Sequence, residues 1–507
     1  MAVNCNRPKA RRIPMKHALP VTRQENFNEW YQQVIRLGDL AENSAVRGCM
    51  IIRPHGLAIW ERMQQELDRR FKAAGVKNAY FPLLIPLSSL EKEAQHVEGF
   101  AKECAVVTHH RLIQKDHKLV PDGALEEPFV IRPTSEMIIG ESFARWINSY
   151  RDLPLKVNQW ANVMRWEMRP RAFLRTSEFL WQEGHTAHRT KEEALAMAQT
   201  MLHVYRQFCE EVLAIPVLAG EKTNSEKFPG ADITYTIEGL MQDGKALQMG
   251  TSHFLGQNFA TAQNIKFKDE DGSDKLVWTT SWGVSTRLIG ALIMSHGDDD
   301  GMRIPPAIAG TQVRILPIIR QAEDEAPLKE YLAKLENILQ QQNFAGQPLR
   351  TEIAWHDGRG GNKFWDSVRQ GHPIILEVGP RDVAAQTIAL SRRDQITAKK
   401  QFLKLEELTK IPAMLTEIQN NLRQAVADRL AHAIQTLSTP EDLQRFLQER
   451  PGMGRAYLAD NAQVQEVLAQ HKMSFRCIEQ GQTPNPQGKC LISGEPVPYQ
   501  VVIAQSY

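Results

Sequence analysis

The stretch Arg165-Trp-Glu-Met-Arg169-Pro-Arg171-Ala-Phe-Leu-Arg175-Thr-Ser-Glu-Phe179 sets four arginines, an interleaved carboxylate and a terminal aromatic within fifteen residues. Guanidinium forks match phosphate and carboxylate oxygens in pairs, so the cluster suits a polyphosphate with a planar base at one end. Phe179 can stack on that base while Arg165, Arg169, Arg171 and Arg175 hold the charged tail. The same residues also suit a hairpin with solvated arginines and one core aromatic. The flanking segments decide between the two.

Upstream, Val130-Ile-Arg132-Pro-Thr134-Ser-Glu136 reads as an apolar strand end, a stiff turn and a helix start. Thr134 is the expected N-cap, with Glu136 in the first turn. The pair also offers a hydroxyl and a carboxylate to a small cation. Downstream, Gln248-Met-Gly-Thr251-Ser-His253-Phe-Leu-Gly-Gln-Asn258 is dense in neutral hydrogen-bonding groups. Trp282-Gly-Val-Ser285-Thr-Arg287-Leu-Ile-Gly290 then places an arginine on an apolar segment that should be buried, where it needs an anion.

The arginine stretch and the two downstream segments resemble motifs 2 and 3 of the class II aminoacyl-tRNA synthetases, and Tyr80-Phe-Pro82-Leu-Leu-Ile-Pro86 is similar to motif 1. Arg132-Pro-Thr-Ser-Glu136, Phe179-Leu-Trp-Gln-Glu-Gly-His185 and Gly250-Thr-Ser-His-Phe-Leu-Gly-Gln-Asn258 resemble the prolyl-tRNA synthetases of archaeal/eukaryotic type. The likeness runs from about Trp30 to Tyr507.

A chain of 507 residues is too long for one core, and two to four domains are expected. Its 42% hydrophobic and 24% charged content is that of a soluble globular protein. With 61 Lys+Arg against 59 Asp+Glu, any nucleic-acid surface must be a local patch. Six cysteines without framework spacing fit a reducing compartment, and no apolar run reaches the ~20 residues of a membrane span. The basic stretch 1–24 reads as a disordered tail on a cytoplasmic protein, its prolines and lack of serines arguing against a transit peptide.

Ile59, Met63, Leu67 and Phe71 make one helical stripe, after which Tyr80-Phe81 is expected to open a strand. Met197, Met201, Tyr205, Phe208 and Val212 make another helical face. Strands flanked by helices without strict alternation predict an α+β catalytic domain on an antiparallel sheet over 25–304. A turn-rich boundary at His296–Gly301 leads to an α/β domain with a mixed sheet over 305–410, which resembles the anticodon-binding domain. Residues 411–507 read as a long helix and a small α/β C-terminal domain. There the family often holds zinc on four cysteines, whereas this chain keeps Cys490 with Ser493 in the second place, so no structural zinc is expected. About sixty residues from His188 to Gln248 leave no room for the inserted editing domain of bacterial-type relatives.

The resemblance implies a proline–tRNA ligase. Proline's carboxylate attacks the α-phosphate of ATP, pyrophosphate leaves, and the terminal ribose of tRNA(Pro) takes the prolyl group. Catalytic roles fall to Arg165, Glu167 and Arg287, with Glu167 on a strand facing the same side as Arg165. ATP would be bound by these three with Arg175, Thr176, Phe179, Gln248, Thr251 and Ser285, magnesium arriving with the nucleotide and no metal held by the protein alone. Proline would be held by Thr134, Glu136 and Arg165, and walled by Trp181, Glu183, His185 and His253. Lys363, Arg381, Arg392 and Arg393 are the candidates for tRNA contact, a solvated basic rim being the equal alternative. A homodimer is implied through the motif 1 helix–strand pair. Two other readings stand beside this one: a catalytically silent synthetase-like paralogue that binds tRNA or protein, and an adenylating enzyme with another acceptor or amino acid.

Overall fold

A computed structural model of the chain describes residues 17–91, 103–355, 360–449 and 452–507. Two compact units emerge. One comprises Ala41–Ser295, Pro305–Gly310 and Thr416–Tyr507; the other holds the described residues up to Leu40 together with His296–Ile304 and Thr311–Leu415.

The larger unit is built on an eleven-stranded sheet. Its middle runs Leu218–Glu221, Ile233–Leu240, Ala246–Gly256, Trp278–Ser285, Glu178–His188, Leu155–Met164, all antiparallel. Period-two alternation sends successive side chains to opposite faces. The helix Lys191–Gln207 covers one face with Ala194, Met197, Ala198, Met201, Leu202 and Tyr205 buried. Tyr205 there meets Gln182 at 2.5 Å, and the Ser252 hydroxyl donates to the Ala198 carbonyl at 2.7 Å. Even-numbered positions from Gln182 onward therefore serve the core, and odd-numbered ones serve the other face. Gly184 is required because a Cβ there would stand 2.1 Å from the buried Trp282 ring.

The stripe on the helix Pro54–Ala73 buries Ile59, Trp60, Met63, Leu67 and Phe71, as its four-residue spacing predicts. Phe71 sits 6.3–6.4 Å from the rings of Trp160, Tyr205 and Trp282. The expected strand at Tyr80-Phe81 is not one. The short strands fall at Lys77–Asn78 and Leu84–Pro86 instead. Phe81 satisfies its backbone through side chains: its N–H donates to Gln159 Oε1 at 3.1 Å and its carbonyl accepts from Arg132 Nη1 at 2.7 Å.

The C-terminal segment is not a separate layer. Ser474–Glu479 pairs with Leu218–Glu221, and Val501–Ala504, Met453–Ala456 and Ile434–Thr436 extend the same sheet. Leu218, Leu240 and Ala246 bury against Met453, Cys477, Val502 and Ala504. Beyond Leu415 the chain groups with the catalytic unit, while Leu437, Phe446, Leu468, Phe475 and Ile503 share a core within the C-terminal segment that the sequence sets off at 411.

The smaller unit has the expected mixed five-stranded sheet, ordered Thr351–Ile353, Val313–Pro317, Ile374–Val378, Thr387–Arg392, Gln401–Lys404. The first two pairings are parallel and the rest antiparallel. Leu328, Leu332, Leu335 and Leu339 of the helix Glu325–Gln340 are fully buried against it. The helix Phe27–Leu37 belongs here rather than to the catalytic unit, since the Trp30 indole donates to the Asp298 carbonyl at 2.8 Å. Of the expected disordered tail, residues 1–16 lie outside the described residues. Residues 17–24 are turns, with Leu19 buried and Arg23 paired to Asp299 at 3.1 Å.

Candidate active site

On the sheet face away from Lys191–Gln207, one cavity of about 270 Å³ opens between the arginine hairpin and the start of the helix Arg287–His296. It is lined by Glu103, Arg165, Trp166, Glu167, Phe173, Leu174, Arg175, Thr176, Phe179, Ser285 and Arg287. The hairpin closes at its tip by mutual backbone bonds of Arg171 and Arg175, at 2.6 and 2.9 Å. Phe173 takes a left-handed φ of 62° there, and both it and Leu174 are buried. That anchoring decides which arginines face inward. Arg175 lines the cavity. Arg169 does not, and Arg171 instead lies 4.8 Å over the ring of Tyr507. The C-terminal Tyr507 reaches the hairpin and donates its hydroxyl to Asp243 at 2.6 Å.

Glu167 lies beyond the strand, which ends at Met164, so its inward direction comes from the turn and not from strand alternation. Its amide donates to the Ser177 hydroxyl at 3.2 Å, and its carboxylate accepts the Arg169 amide at 2.7 Å. Arg287 is set at the first position of its helix. Its guanidinium donates to the Leu174 and Gln248 carbonyls at 3.3 and 3.4 Å. Burial, and then the positive charges of Arg175 and Arg165, push its pKa down to about 10, which leaves it charged at neutral pH. Three guanidiniums gathered around one cavity have the charge to receive an anion.

Arg165 joins this cavity to a carboxylate-lined corner. Its Nε donates to the Pro133 carbonyl at 2.8 Å, and its guanidinium stands 5.8 and 5.5 Å over the rings of Phe179 and Trp181. Burial lowers its pKa, opposed by the charges of Glu136 and Glu183. In the corner the Thr134 hydroxyl donates to Glu136. Ser135 is the N-cap residue, and neither residue's side chain caps the helix, contrary to the expectation for Thr134. Glu183 is nearly fully buried and accepts from the Ser135 hydroxyl and the Gln159 amide, each at 2.5 Å, with His185 Nε2 at 3.2 Å. Glu136 and His185 also border a second cavity of about 20 Å³.

The two histidines are tuned apart. Burial lowers the pKa of His185, but the Glu183 bond and the Glu136 charge outweigh it and raise the net value. Burial and then His185 push His253 down to about 3, so it is neutral. Thr234 Oγ1 holds its Nδ1 at 3.0 Å. The Trp181 indole N–H is buried without a partner among the described residues.

The profile described as the tRNA synthetase class II core domain (G, H, P, S and T) matches residues 120–296, and that of the anticodon binding domain matches residues 312–412. The proline–tRNA ligase of Protochlamydia amoebophila is 52% identical over 502 residues, covering 97% of this chain and 99% of that relative. The proline–tRNA ligase of Paramagnetospirillum magneticum is 52% identical over 501 residues, with the same coverage. The chain belongs to the prolyl-tRNA synthetase family. Its fold matches the solved prolyl-tRNA synthetase from Cryptosporidium parvum, complexed with halofuginone and AMPPNP, with a TM-score of 0.88 at 37% identity over 97% of each chain.

In this prolyl-tRNA synthetase fold the expected residues sort into three groups. Arg165, Glu167, Arg175, Thr176, Phe179, Ser285 and Arg287 share the cavity; Thr134, Glu136, Glu183 and His185 share the corner. Gln248, Thr251 and His253 share the strand Ala246–Gly256, and Gln248 meets Arg287 through its carbonyl. Sequence reasoning missed Ser135 and Gln159, although Gln159 stands directly opposite Glu183 in strand register. It also missed Glu103 on the cavity wall.

Two tRNA candidates are corrected. Arg393 is 1% exposed, and its two terminal nitrogens grip Asp298 at 2.8 and 2.5 Å. Lys363 is 8% exposed, with Nζ on the Ala354 carbonyl at 3.5 Å. Both cations are committed inside the smaller unit. Arg392 is half-buried on Asp394 at 2.9 Å, and Arg381 is exposed.

Proposed function

We infer that the chain is a proline–tRNA ligase. A proline carboxylate oxygen attacks the α-phosphate of ATP, pyrophosphate leaves, and the 3′ ribose hydroxyl of tRNA(Pro) then displaces AMP from the prolyl-adenylate. The observation that carries this reading is Arg165, set between the Arg175 and Arg287 guanidiniums on one side and the Glu136–Glu183 carboxylates on the other. Negative charge grows at the α-phosphate, the point that Arg165 is placed to serve. Arg175 and Arg287 take the outer phosphates, and Phe179 with Arg287 flank the base. Thr176, Gln248, Thr251 and Ser285 supply neutral contacts. Glu167 takes the adenine amino group or, with Glu103, the magnesium that enters as part of the nucleotide substrate.

Thr134 and Glu136 receive the secondary ammonium of proline. Trp181 and neutral His253 close on the ring, and Glu183, saturated by Ser135, Gln159 and His185, fixes the wall. No covalent enzyme nucleophile is needed; positioning and charge supply the acceleration. The Arg165→Ala variant of the full chain should lose at least ~1,000-fold in proline-dependent pyrophosphate exchange while its melting midpoint stays near native. Exchange that survives this change removes Arg165 from the role.

Supporting features extend the reading. Between His188 and Ala246 the chain forms one helix, one π turn and two strands, in keeping with a synthetase lacking an inserted editing domain. Ser493 stands where a second thiol would and bonds Cys490 Sγ through its amide at 3.4 Å, so the C-terminal segment is read without structural zinc. Tyr80, Leu112 and Leu119 are 74%, 61% and 70% exposed, large apolar side chains that a second copy in a homodimer would cover. Arg381 is the exposed cation read as meeting tRNA, and buried Cys209 and Cys477 suit a cytoplasmic setting.

A further inference from the structure

Strand Ile233–Leu240 lies against Ala246–Gly256 with Thr234 opposite His253, Thr236 opposite Thr251 and Glu238 opposite Gln248. This row faces the active site, since Thr234 holds His253 and the Gln248 carbonyl touches Arg287. Glu238 ends the row fully buried, and four donors converge on it. Lys222 Nζ and the Thr236 hydroxyl donate to Oε1, each at 2.9 Å. Arg476 donates to Oε2 through Nε at 3.0 Å and Nη2 at 2.6 Å. A carboxylate has about four lone-pair sites, so Glu238 is filled.

Arg476 comes from Ser474–Glu479, the C-terminal strand that pairs with Leu218–Glu221. The Arg287 guanidinium, by contrast, is held by two long carbonyl contacts among the described residues. Glu238 and Arg287 both converge on Gln248. Burial works against ionised Glu238, but Lys222 and then Arg476 outweigh it and hold its pKa below the usual carboxylate value.

We propose that Arg476 is a positioning residue for ATP: by filling Glu238 it keeps Arg287 turned into the nucleotide cavity instead of paired with that carboxylate. The C-terminal segment is thereby part of the nucleotide site without touching the nucleotide. With Arg476 removed, Glu238 Oε2 loses both donors while Lys222 stays on Oε1, and Arg287, near enough to feel the Glu238 charge, can turn toward the vacated oxygen. The triphosphate must then compete with Glu238 for Arg287.

The proposal rests on reading Arg287 as a phosphate ligand, so the test carries an arm for each. ATP KM is measured by pyrophosphate exchange at saturating proline on the full-length enzyme. The variants are Arg476→Gln, Glu238→Gln, the double variant and Arg287→Gln, with melting midpoints recorded for each. Arg476→Gln should raise ATP KM about tenfold or more with proline KM unchanged. The double variant should return ATP KM to within about threefold of native without regaining the lost melting temperature, because the uncharged amide introduced by Glu238→Gln no longer captures Arg287. A merely structural ion cluster gives a double variant no better than the single one.

Unchanged ATP KM in folded Arg476→Gln, or no recovery in the double variant, overturns the proposal. If Arg476→Gln does not fold, Glu238→Gln decides: ATP KM near native supports the proposal, and a tenfold rise overturns it. If Arg287→Gln leaves ATP KM unchanged, the phosphate role itself fails. If it raises ATP KM while Arg476→Gln does not, only the role of Arg476 falls.

Discussion

Buried histidines and carboxylates give this site its charge pattern, and each can be tested one residue at a time. Glu136 accepts the Thr134 hydroxyl and faces Arg165 with an oxygen suited to an imino-acid cation. Charge-assisted bonds contribute roughly 1.5–3 kcal/mol, so Glu136→Gln should raise proline KM about thirtyfold with ATP KM little changed. Equal rises for both substrates would place Glu136 elsewhere in the reaction. His188 titrates for stability. Burial, and then Lys156, push its pKa down to about 4, against 6.5 for a free imidazole. Between those values the unfolded chain takes a proton that the folded chain refuses, so the contribution is complete above pH 6.5 and is lost as pH falls toward 4. It amounts to about 2 kcal/mol by pH 5. Melting midpoints at pH 7 and pH 5 should fall further for the native chain than for His188→Asn; parallel falls sink the assignment. At this scale the sequence showed which residue types gather but not which of them point inward. Arg169 and Arg171 looked equivalent to Arg175 until the tip geometry around Phe173 separated them. Arg393 looked like a rim cation because its partner, Asp298, lies 95 residues away.

Elements were legible where a face repeats and illegible where side chains replace the backbone ladder. The helices Pro54–Ala73, Glu325–Gln340 and Ile411–Ala433 follow from apolar spacing alone. Tyr80-Phe81 misled because Gln159 and Arg132 take the hydrogen bonds that a neighbouring strand would have taken. Thr134 misled because its hydroxyl serves the Glu136 carboxylate and not a backbone amide. From Gln182 onward the strand Glu178–His188 carries the site on its odd positions and the core on its even ones, and Gly184 is where the two layers press closest. A methyl group there would sit 2.1 Å from the ring of Trp282, itself 1% exposed. Overpacking of a tight core costs about 1–3 kcal/mol, and more where a ring cannot move. Gly184→Ala should therefore lower the melting midpoint by several degrees and raise proline KM, since Glu183 and His185 flank it. A variant as stable as native, with native KM values, would show that Trp282 yields freely.

At the scale of the whole molecule, the chain beyond Leu415 behaves as the outer strands of the catalytic sheet. No local signal announces this, because the pairing of Ile478 with Glu221 and Glu479 with Gly220 joins segments far apart in the chain, with His296–Ile304 and Thr311–Leu415 of the smaller unit lying between them in sequence. Composition showed only a small α/β segment after a long helix. Three independent contacts bind it to the site-bearing unit: the strand pairing, the Arg476–Glu238 ion pair at 2.6 Å and the packing of Tyr507 on Arg171 at 4.8 Å. Removing everything after Thr436 would expose the edge of Leu218–Glu221 and uncover Leu218, Leu240 and Ala246. It would also leave Glu238 with Lys222 and no Arg476 in the interior. An open apolar edge pairs with other chains, and half of a buried ion cluster destabilises by several kcal/mol. The truncated chain should therefore accumulate as aggregate and show no proline-dependent pyrophosphate exchange, whereas deleting Tyr507 alone should leave a soluble enzyme with ATP KM raised a few-fold as the hairpin loosens. Expression of both forms, followed by the soluble fraction and exchange rate, separates the cases. A soluble truncated chain with native exchange would mean that the catalytic sheet closes on its own and that the C-terminal strands are accessory.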